Sequence, residues 1–486
     1  MSNNPIQILV IIVALIASMW GMSELVSVQE ETRNVILGIG FFVLLLLALW
    51  RKIPLDAKLL FIVILGYALC GKGFAYLTPF EPVYIGEICL VFCICGIVFR
   101  LRQCGLVDTT IHKLIWIYLI YAGVHLLVDF PQYELLAIRD SSTVYYSLYF
   151  FAAYQLFQNQ TIVGAFERIL KIALLFSVFQ AVSFMAMDRL GLNLNLPGFG
   201  PHVDAFIPMN AAGGLYFFVK GVEEKKMHYL ILGCFITFTL IQGKTTAFLA
   251  YAAVMGGAIF YGRVKGLLIP GMFLAAIGSV ALAVVAVVKP EFFTETVAGS
   301  DAVQAFGLDN GQFVGFSGTS SWRWDWWMII WDDTMAIAPF WGQGFGADLT
   351  TPFLGEWLGI DPTSAKAQNY ARYPHNILFT IIGRLGLIGL FVFLGLFISI
   401  GLLALRFSKR YFSSADRLDA DVIAYGIVVA GIVNGLFQAT YEVPHSAITH
   451  WVCLGYMAVR YYKPKSDTDV MTSARTYQVG VTPDSS

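Results

Sequence analysis

Predominantly apolar stretches recur from one end of this chain to the other. A helix that hides its amides in hydrocarbon needs about 20 such residues, and only a closed hydrogen-bonded helix can do so within one segment. The pattern predicts spans near 5–22, 34–50, 57–71, 83–99, 111–128, 142–157, 164–186, 205–220, 228–243, 244–262, 266–289, 374–405, 418–438 and 446–462. That makes about fourteen, with ends fixed only to within several residues.

Composition agrees with a bilayer as the solvent. With 486 residues, 58% of them hydrophobic and 13% charged, the chain carries more apolar surface than one globular core buries. The fold class expected is an all-α polytopic membrane protein. The first apolar stretch has no basic region before it and no small-residue cleavage site, so it is expected to anchor and not to be removed. The net charge of −1 decides little, and no basic stripe points to nucleic acid. The seven cysteines lie in or beside apolar stretches with neither a zinc spacing nor a disulfide framework.

Lys and Arg gather in alternate connections, which sets sidedness by the positive-inside rule. They follow the second span (Arg51, Lys52, Lys58), the fourth (Arg100, Arg102, Lys113), the sixth (Arg168, Lys171) and the eighth (Lys220, Lys225, Lys226). The tenth (Arg263, Lys265) and the twelfth (Arg406, Lys409, Arg410, Arg417) continue the series. Both termini are then expected in the cytoplasm, and 290–373 becomes a large outer loop. The expected organisation is a transmembrane bundle over 1–289, that loop, further membrane helices over 374–462, and a polar, disordered cytoplasmic tail over 463–486.

A loop of this length is seldom a plain linker. It contains Ser320, Ser321, Trp322, Arg323, Trp324, Asp325, Trp326, Trp327 and Trp331, which read as a helix lying on the bilayer surface and capped by Ser320 or Ser321. A glycine-rich turn follows, Trp341-Gly342-Gln343-Gly344-Phe345-Gly346, and then Tyr373-Pro374-His375-Asn376 opens the next span.

Several residues on the outer side have chemistry to offer, each with a plainer alternative. His375 is placed to take a proton from a hydroxyl, or to satisfy backbone groups at a membrane interface. Arg323 has the fork that grips phosphate oxygens, or pairs with Asp325, Asp332 or Asp333 or stacks on tryptophan. Lys244, in Gln242-Gly243-Lys244-Thr245-Thr246, is a phosphate contact or a lysine snorkelling to water. The Gly-Lys-Thr triplet lacks the earlier glycine and the strand-to-helix setting of a nucleotide loop. Arg139 is a second cation or half of an ion pair with Asp140. His202, Asp204, Tyr441, Glu442 and His445 are sugar contacts or caps. The histidines show no metal-ligand spacing, and no metal or other cofactor is expected.

Taken together, Gln242-Gly243-Lys244-Thr245-Thr246-Ala247, Arg323 with Trp326 and Trp327, Gly342-Gln343-Gly344-Phe345-Gly346, and His375-Asn376-Ile377-Leu378 with Gly383, Gly386, Leu387 and Gly389 resemble the bacterial O-antigen ligase and polymerase superfamily. The resemblance is concentrated in about 230–400. It implies a GT-C-like bundle of about 12–14 spans in the bacterial inner membrane, with the site under a periplasmic loop. It also implies a glycan donor carried on undecaprenyl diphosphate, an acceptor that is a glycan or lipid A core, and contact with membrane lipids and other polysaccharide assembly proteins. By correspondence, His375 activates the acceptor and Arg323 contacts the diphosphate. Family members often carry arginine where this chain has Lys244, so that contact is a point charge here, or passes partly to Arg139.

The chemistry is coherent without the name. Diphosphate leaves well when fixed cations meet its growing charge, and the attacking hydroxyl needs orientation and a base. Trp322, Trp326, Asn376, Tyr441 and Glu442 are candidate glycan or acceptor contacts, and the glycine turn is expected to bring backbone amides to the sugar. Direct displacement would invert the anomeric centre. Polymerase and ligase differ only in acceptor, and the length of the chain tilts the reading slightly toward polymerase. A transporter or flippase of a lipid-linked glycan or other anionic substrate calls instead for charges deep in the membrane and broken helices; a scaffold needs neither His375 nor Arg323.

Overall fold

The structure is a computed structural model, and it describes residues 53–77, 83–104, 109–190, 203–241, 245–262, 266, 319–349, 374–412 and 414–462. The expected spans at 5–22 and 34–50, all of 266–289 but its first residue, most of the loop over 290–373, Lys244, His202 and the tail lie outside the described residues. The regular elements that are described are all α-helices. They are α1 (Leu55–Cys70), α2 (Lys72–Ala75), α3 (Ile85–Cys104), α4 (Thr110–Tyr133), α5 (Leu135–Asp140), α6 (Ser142–Tyr145), α7 (Leu148–Leu156) and α8 (Gln160–Leu190). After them come α9 (Val203–Glu224), α10 (Met227–Ile241), α11 (Thr245–Phe260), α12 (Thr319–Ile337), α13 (Ile377–Tyr411), α14 (Asp419–Gly435) and α15 (Pro444–Tyr462). By length and composition, α4 and α13 are long and apolar enough to cross a membrane among the described residues.

Helix α9 lies at the centre, packed on α8, α10, α11 and α14. Its Ala212 lets α14 come close: a Cβ added to Gly426 would lie 2.6 Å from the Ala212 Cα. Small residues that admit a neighbouring backbone are the usual route to tight helix packing where water gives little drive. Elsewhere α15 packs on α7 and α14, α1 on α8, α13 on α4, and α12 on the start of α13.

Two expected single helices are broken, each for a local reason. The segment 142–157 is divided into α6 and α7, with α5 before it. Ser141 donates its hydroxyl to the Ile138 carbonyl and Ser147 to that of Val144, both at 2.7 Å, so serines at the junctions take up backbone acceptors. Helix α13 is interrupted at Gly386, whose φ of 64° and ψ of −166° only glycine adopts without strain. Its leg after the break still has the length of a full span.

The surface helix starts earlier than expected. It begins at Thr319, so Ser320 and Ser321 lie within its first turn and do not cap it. Trp326, Ile330 and Thr334, four residues apart, form its buried face, while Trp324, Trp331 and Ile337 are exposed.

Charge separates the two ends of the bundle. At the end where α13 finishes and α14 starts, Asp419 takes Lys171 at 2.6 Å and Lys220 at 3.0 Å, Arg417 pairs with Glu223, and Arg460 with Asp421 at 2.9 Å. The opposite end, where α13 begins and α14 turns into α15, holds His375, Arg323 and Glu442.

Candidate active site

The site is built on the first turns of α13. Pro374 has no N–H and Asn376 is extended, with its side-chain oxygen accepting the Leu378 N–H at 2.9 Å as an N-cap. Between them His375 takes φ 54°, a left-handed conformation that costs a non-glycine residue on the order of 1 kcal/mol or more. The turn is held on both sides. Trp327 donates its indole N–H to the Pro374 carbonyl at 2.7 Å, and Thr380 donates its backbone N–H to the Asn376 carbonyl at 2.9 Å. Trp327 is in turn stacked on Phe379, 5.3 Å between ring centres.

Arg323 lies one turn before Trp326 and Trp327 on the same helix. Its guanidinium is half-buried and donates to the Phe437 carbonyl at 3.5 Å, tying α12 to the turn between α14 and α15. The Trp326 ring stands edge-on to the His375 ring at 6.3 Å, and its N–H goes to the Leu349 carbonyl at 2.7 Å. Arg323, Trp326, His375 and Asn376 therefore meet at one corner of the bundle, a cation and an imidazole on a common frame.

The other expected residues fall differently. Arg139 is exposed on α5. Its neighbour Asp140 is fully buried, engaged by Arg384 at 2.8 Å and by the Gly346 N–H at 3.1 Å, so the carboxylate is not reserved for Arg139. Tyr441 is turned into the core, its hydroxyl 3.2 Å from His450 Nε2. Glu442 is buried beside Thr380, and burial, partly offset by that hydrogen bond and by Arg384, pushes its carboxyl up to about 8. The side chains of Trp322 and Asp204 and all of Lys244 lie outside the described residues. His445 is buried, its ring 6.5 Å from that of Tyr76. Among the described residues no three His, Cys, Asp or Glu side chains are grouped as a metal site would need.

The glycine-rich turn does other work than expected. Gly342, Gly344 and Gly346 have φ of 85°, 90° and 94°, and the amides along the turn are spent within the protein. Gly342 N–H donates to Ala338, Gln343 to Gly383 and Gly344 to Arg384, at 2.7, 2.8 and 3.1 Å. Phe345 N–H donates to the Asp129 carboxylate at 2.7 Å. These amides are not open to a sugar; they lock the turn to the break in α13. A Cβ on Gly342 would lie 2.4 Å from the Gly386 nitrogen, and one on Gly386 would lie 2.5 Å from the Phe340 carbonyl. Gly342→Ala is therefore expected to destabilise the protein by about 1–3 kcal/mol or more, read as a lowered melting temperature in detergent.

Sequence reasoning missed Arg384. It is 1% exposed, pairs with Asp140, and also donates to the carbonyls of Gly344, at 3.3 Å, and Ala347. A charged residue inside an apolar run either pairs or functions, and that rule applied to Gly383-Arg384-Leu385-Gly386 was the available signal.

Residues 230–394 match the family model described as O-antigen ligase. This region belongs to the O-antigen ligase family. No curated protein matches the chain. The O-antigen ligase region contains Arg323, the glycine turn, His375 and Arg384, whereas Asp129, Asp140 and Glu442 come from helices and turns outside it. Membership agrees with the long apolar helices in making this a membrane protein. The corner that holds His375 and the glycine turn is thus supported partly by residues outside the matched region.

Proposed function

We propose that the protein is a membrane glycosyltransferase that moves a glycan from undecaprenyl diphosphate to a sugar hydroxyl, as an O-antigen or exopolysaccharide polymerase or ligase. The observation that carries this reading is that Arg323 shares a helix with Trp326 and Trp327, which hold the strained turn of His375, all inside the O-antigen ligase region. The acceptor oxygen attacks the anomeric carbon, the bond to the diphosphate oxygen breaks with its electron pair, and the hydroxyl proton passes to the His375 imidazole. Arg323 stabilises the leaving diphosphate, with Lys244 and Arg139 as further cations. One displacement inverts the anomeric centre, and a product of retained configuration by NMR would count against it.

The site's place at the end of the bundle remote from the Asp419, Lys171 and Lys220 cluster supports a periplasmic face, with both termini cytoplasmic. The exposed Trp324, Trp331 and Trp341 suit a GT-C-like site whose lipid donor approaches from the interface.

Purified protein incubated with undecaprenyl-diphosphate oligosaccharide, with and without lipid A core, tests the reading. A ladder of repeats without core indicates a polymerase, and strict dependence on core a ligase. No release of the lipid carrier in either case sinks the transferase. Arg323→Ala is expected to lower transfer by about 10²- to 10³-fold, with Arg323→Lys recovering only part because a point charge replaces a fork. The break in α13 and the buried Arg384 are features a transporter also calls for. Both lie within ten residues of the start of α13, and the charge is neutralised by Asp140. Movement of lipid-linked glycan across proteoliposomes without cleavage would favour that alternative.

A further inference from the structure

Glu442 lies in the turn between α14 and α15, 3% exposed, and its carboxyl reaches the α13 start through Thr380. Thr380 Oγ1 contacts two oxygens, the Asn376 carbonyl at 3.1 Å and Glu442 Oε1. A hydroxyl carries one proton, and a carbonyl only accepts. With Glu442 ionised, that proton must serve two acceptors, and one contact becomes two lone pairs facing each other in a buried place. With a proton on Glu442, each contact has its own: the carboxyl O–H donates to Thr380 Oγ1, and the Thr380 O–H donates to Asn376. Glu442 Oε2, also buried, has no hydrogen bond among the described residues, so a charge there would lack a donor.

The surrounding charges do not reverse this. Arg384 on α13 favours the carboxylate, yet it is paired with Asp140 on α5, which opposes it. From α4, Tyr118 faces Glu442, and from α12, Arg323 reaches the same turn at Phe437. Ser142 donates to the Glu442 backbone carbonyl at 3.1 Å and anchors the residue, not its carboxyl.

We propose that Glu442 is a neutral, proton-bearing positioning residue whose O–H, passed through Thr380 to the Asn376 carbonyl, fixes the left-handed turn that presents His375. Its effect on activity rests on the transferase reading; its protonation does not. Glu442→Gln keeps a donor toward Thr380 and cannot ionise. At pH 7 it is expected to transfer far better than Glu442→Ala, and the loss of activity expected of the wild type as pH rises through about 8 is expected to be absent from it. Thr380→Val and Glu442→Ala lower kcat with KM little changed. A Glu442→Gln protein that melts normally but is as inactive as Glu442→Ala at pH 7 overturns the proposal, as does an alkaline limb that survives in Glu442→Gln. Infrared difference spectra of wild type against Glu442→Gln supply a readout without turnover. A protonated-carboxyl stretch assigned to Glu442 at pH 7, disappearing at alkaline pH, is expected; its absence overturns the proposal. If no variant and no wild type transfers glycan while that band is present, the transferase reading fails and the neutral carboxyl stands.

Discussion

Replacing His375 by asparagine is expected to lower glycan transfer by about 10²- to 10⁴-fold, the usual contribution of a positioned general base. Asparagine is the informative substitute because the residue sits at φ 54°, where Asn is tolerated far better than most side chains. The Pro374 and Asn376 carbonyls keep their partners on Trp327 and Thr380, so the turn persists while the proton acceptor is gone. His375→Ala removes the imidazole and also strains the turn, and it is expected to melt lower than His375→Asn. Released undecaprenyl diphosphate is the measurement, alongside the melting temperature of each variant. Transfer by His375→Asn within tenfold of wild type would remove His375 from the role of base.

The second large effect concerns stability. Arg384→Met leaves the Asp140 carboxylate buried without its cation and frees the carbonyls of Gly344 and Ala347. Breaking one side of a buried pair costs about 3–5 kcal/mol, whereas replacing both partners with apolar groups is often close to neutral. Arg384→Met is therefore expected to unfold well below wild type, and Arg384→Met with Asp140→Leu to recover a large part of the loss. Recovery stays incomplete, since Asp140 also accepts the Gly346 N–H. Thermal unfolding of the four proteins in one detergent completes the cycle. An unchanged melting temperature for Arg384→Met alone would refute the claim that the pair holds the turn to α13.

Which parts of this were legible beforehand follows from how local each cause is. The helix Val203–Glu224 appears in the sequence as an apolar run near 205–220, and the start of α13 is announced by Pro374 and Asn376, because runs and caps act over a few neighbouring residues. The division of 142–157 was not legible, since Ser141 and Ser147 are ordinary inside helices until their hydroxyls take a carbonyl. The glycine turn announced its conformation and not its partners. Three alternate glycines signal left-handed backbone, yet only the folded chain shows Gly342 seated against Gly386 and the amides spent on Gly383, Arg384 and Asp129. Arg323 and His375 stood out in the sequence as candidates, each by its own side-chain chemistry. Thr380 and Arg384, which hold that corner and its glycine turn, matter through partners remote in sequence, and no local pattern names those.

Asp129 and Asp140 are buried acids whose amide donors, on Phe345 and Gly346, come 216 and 206 residues later in the chain. During synthesis the ribosome therefore delivers two carboxylates long before anything exists to receive them, and Arg384 arrives later still. Until then α4 and α5 cannot settle as they do in the finished protein unless those acids keep water. A chain stopped short of Arg384 would carry this half-built corner permanently, with the Asp140 carboxylate lacking the cation that meets it in the finished protein.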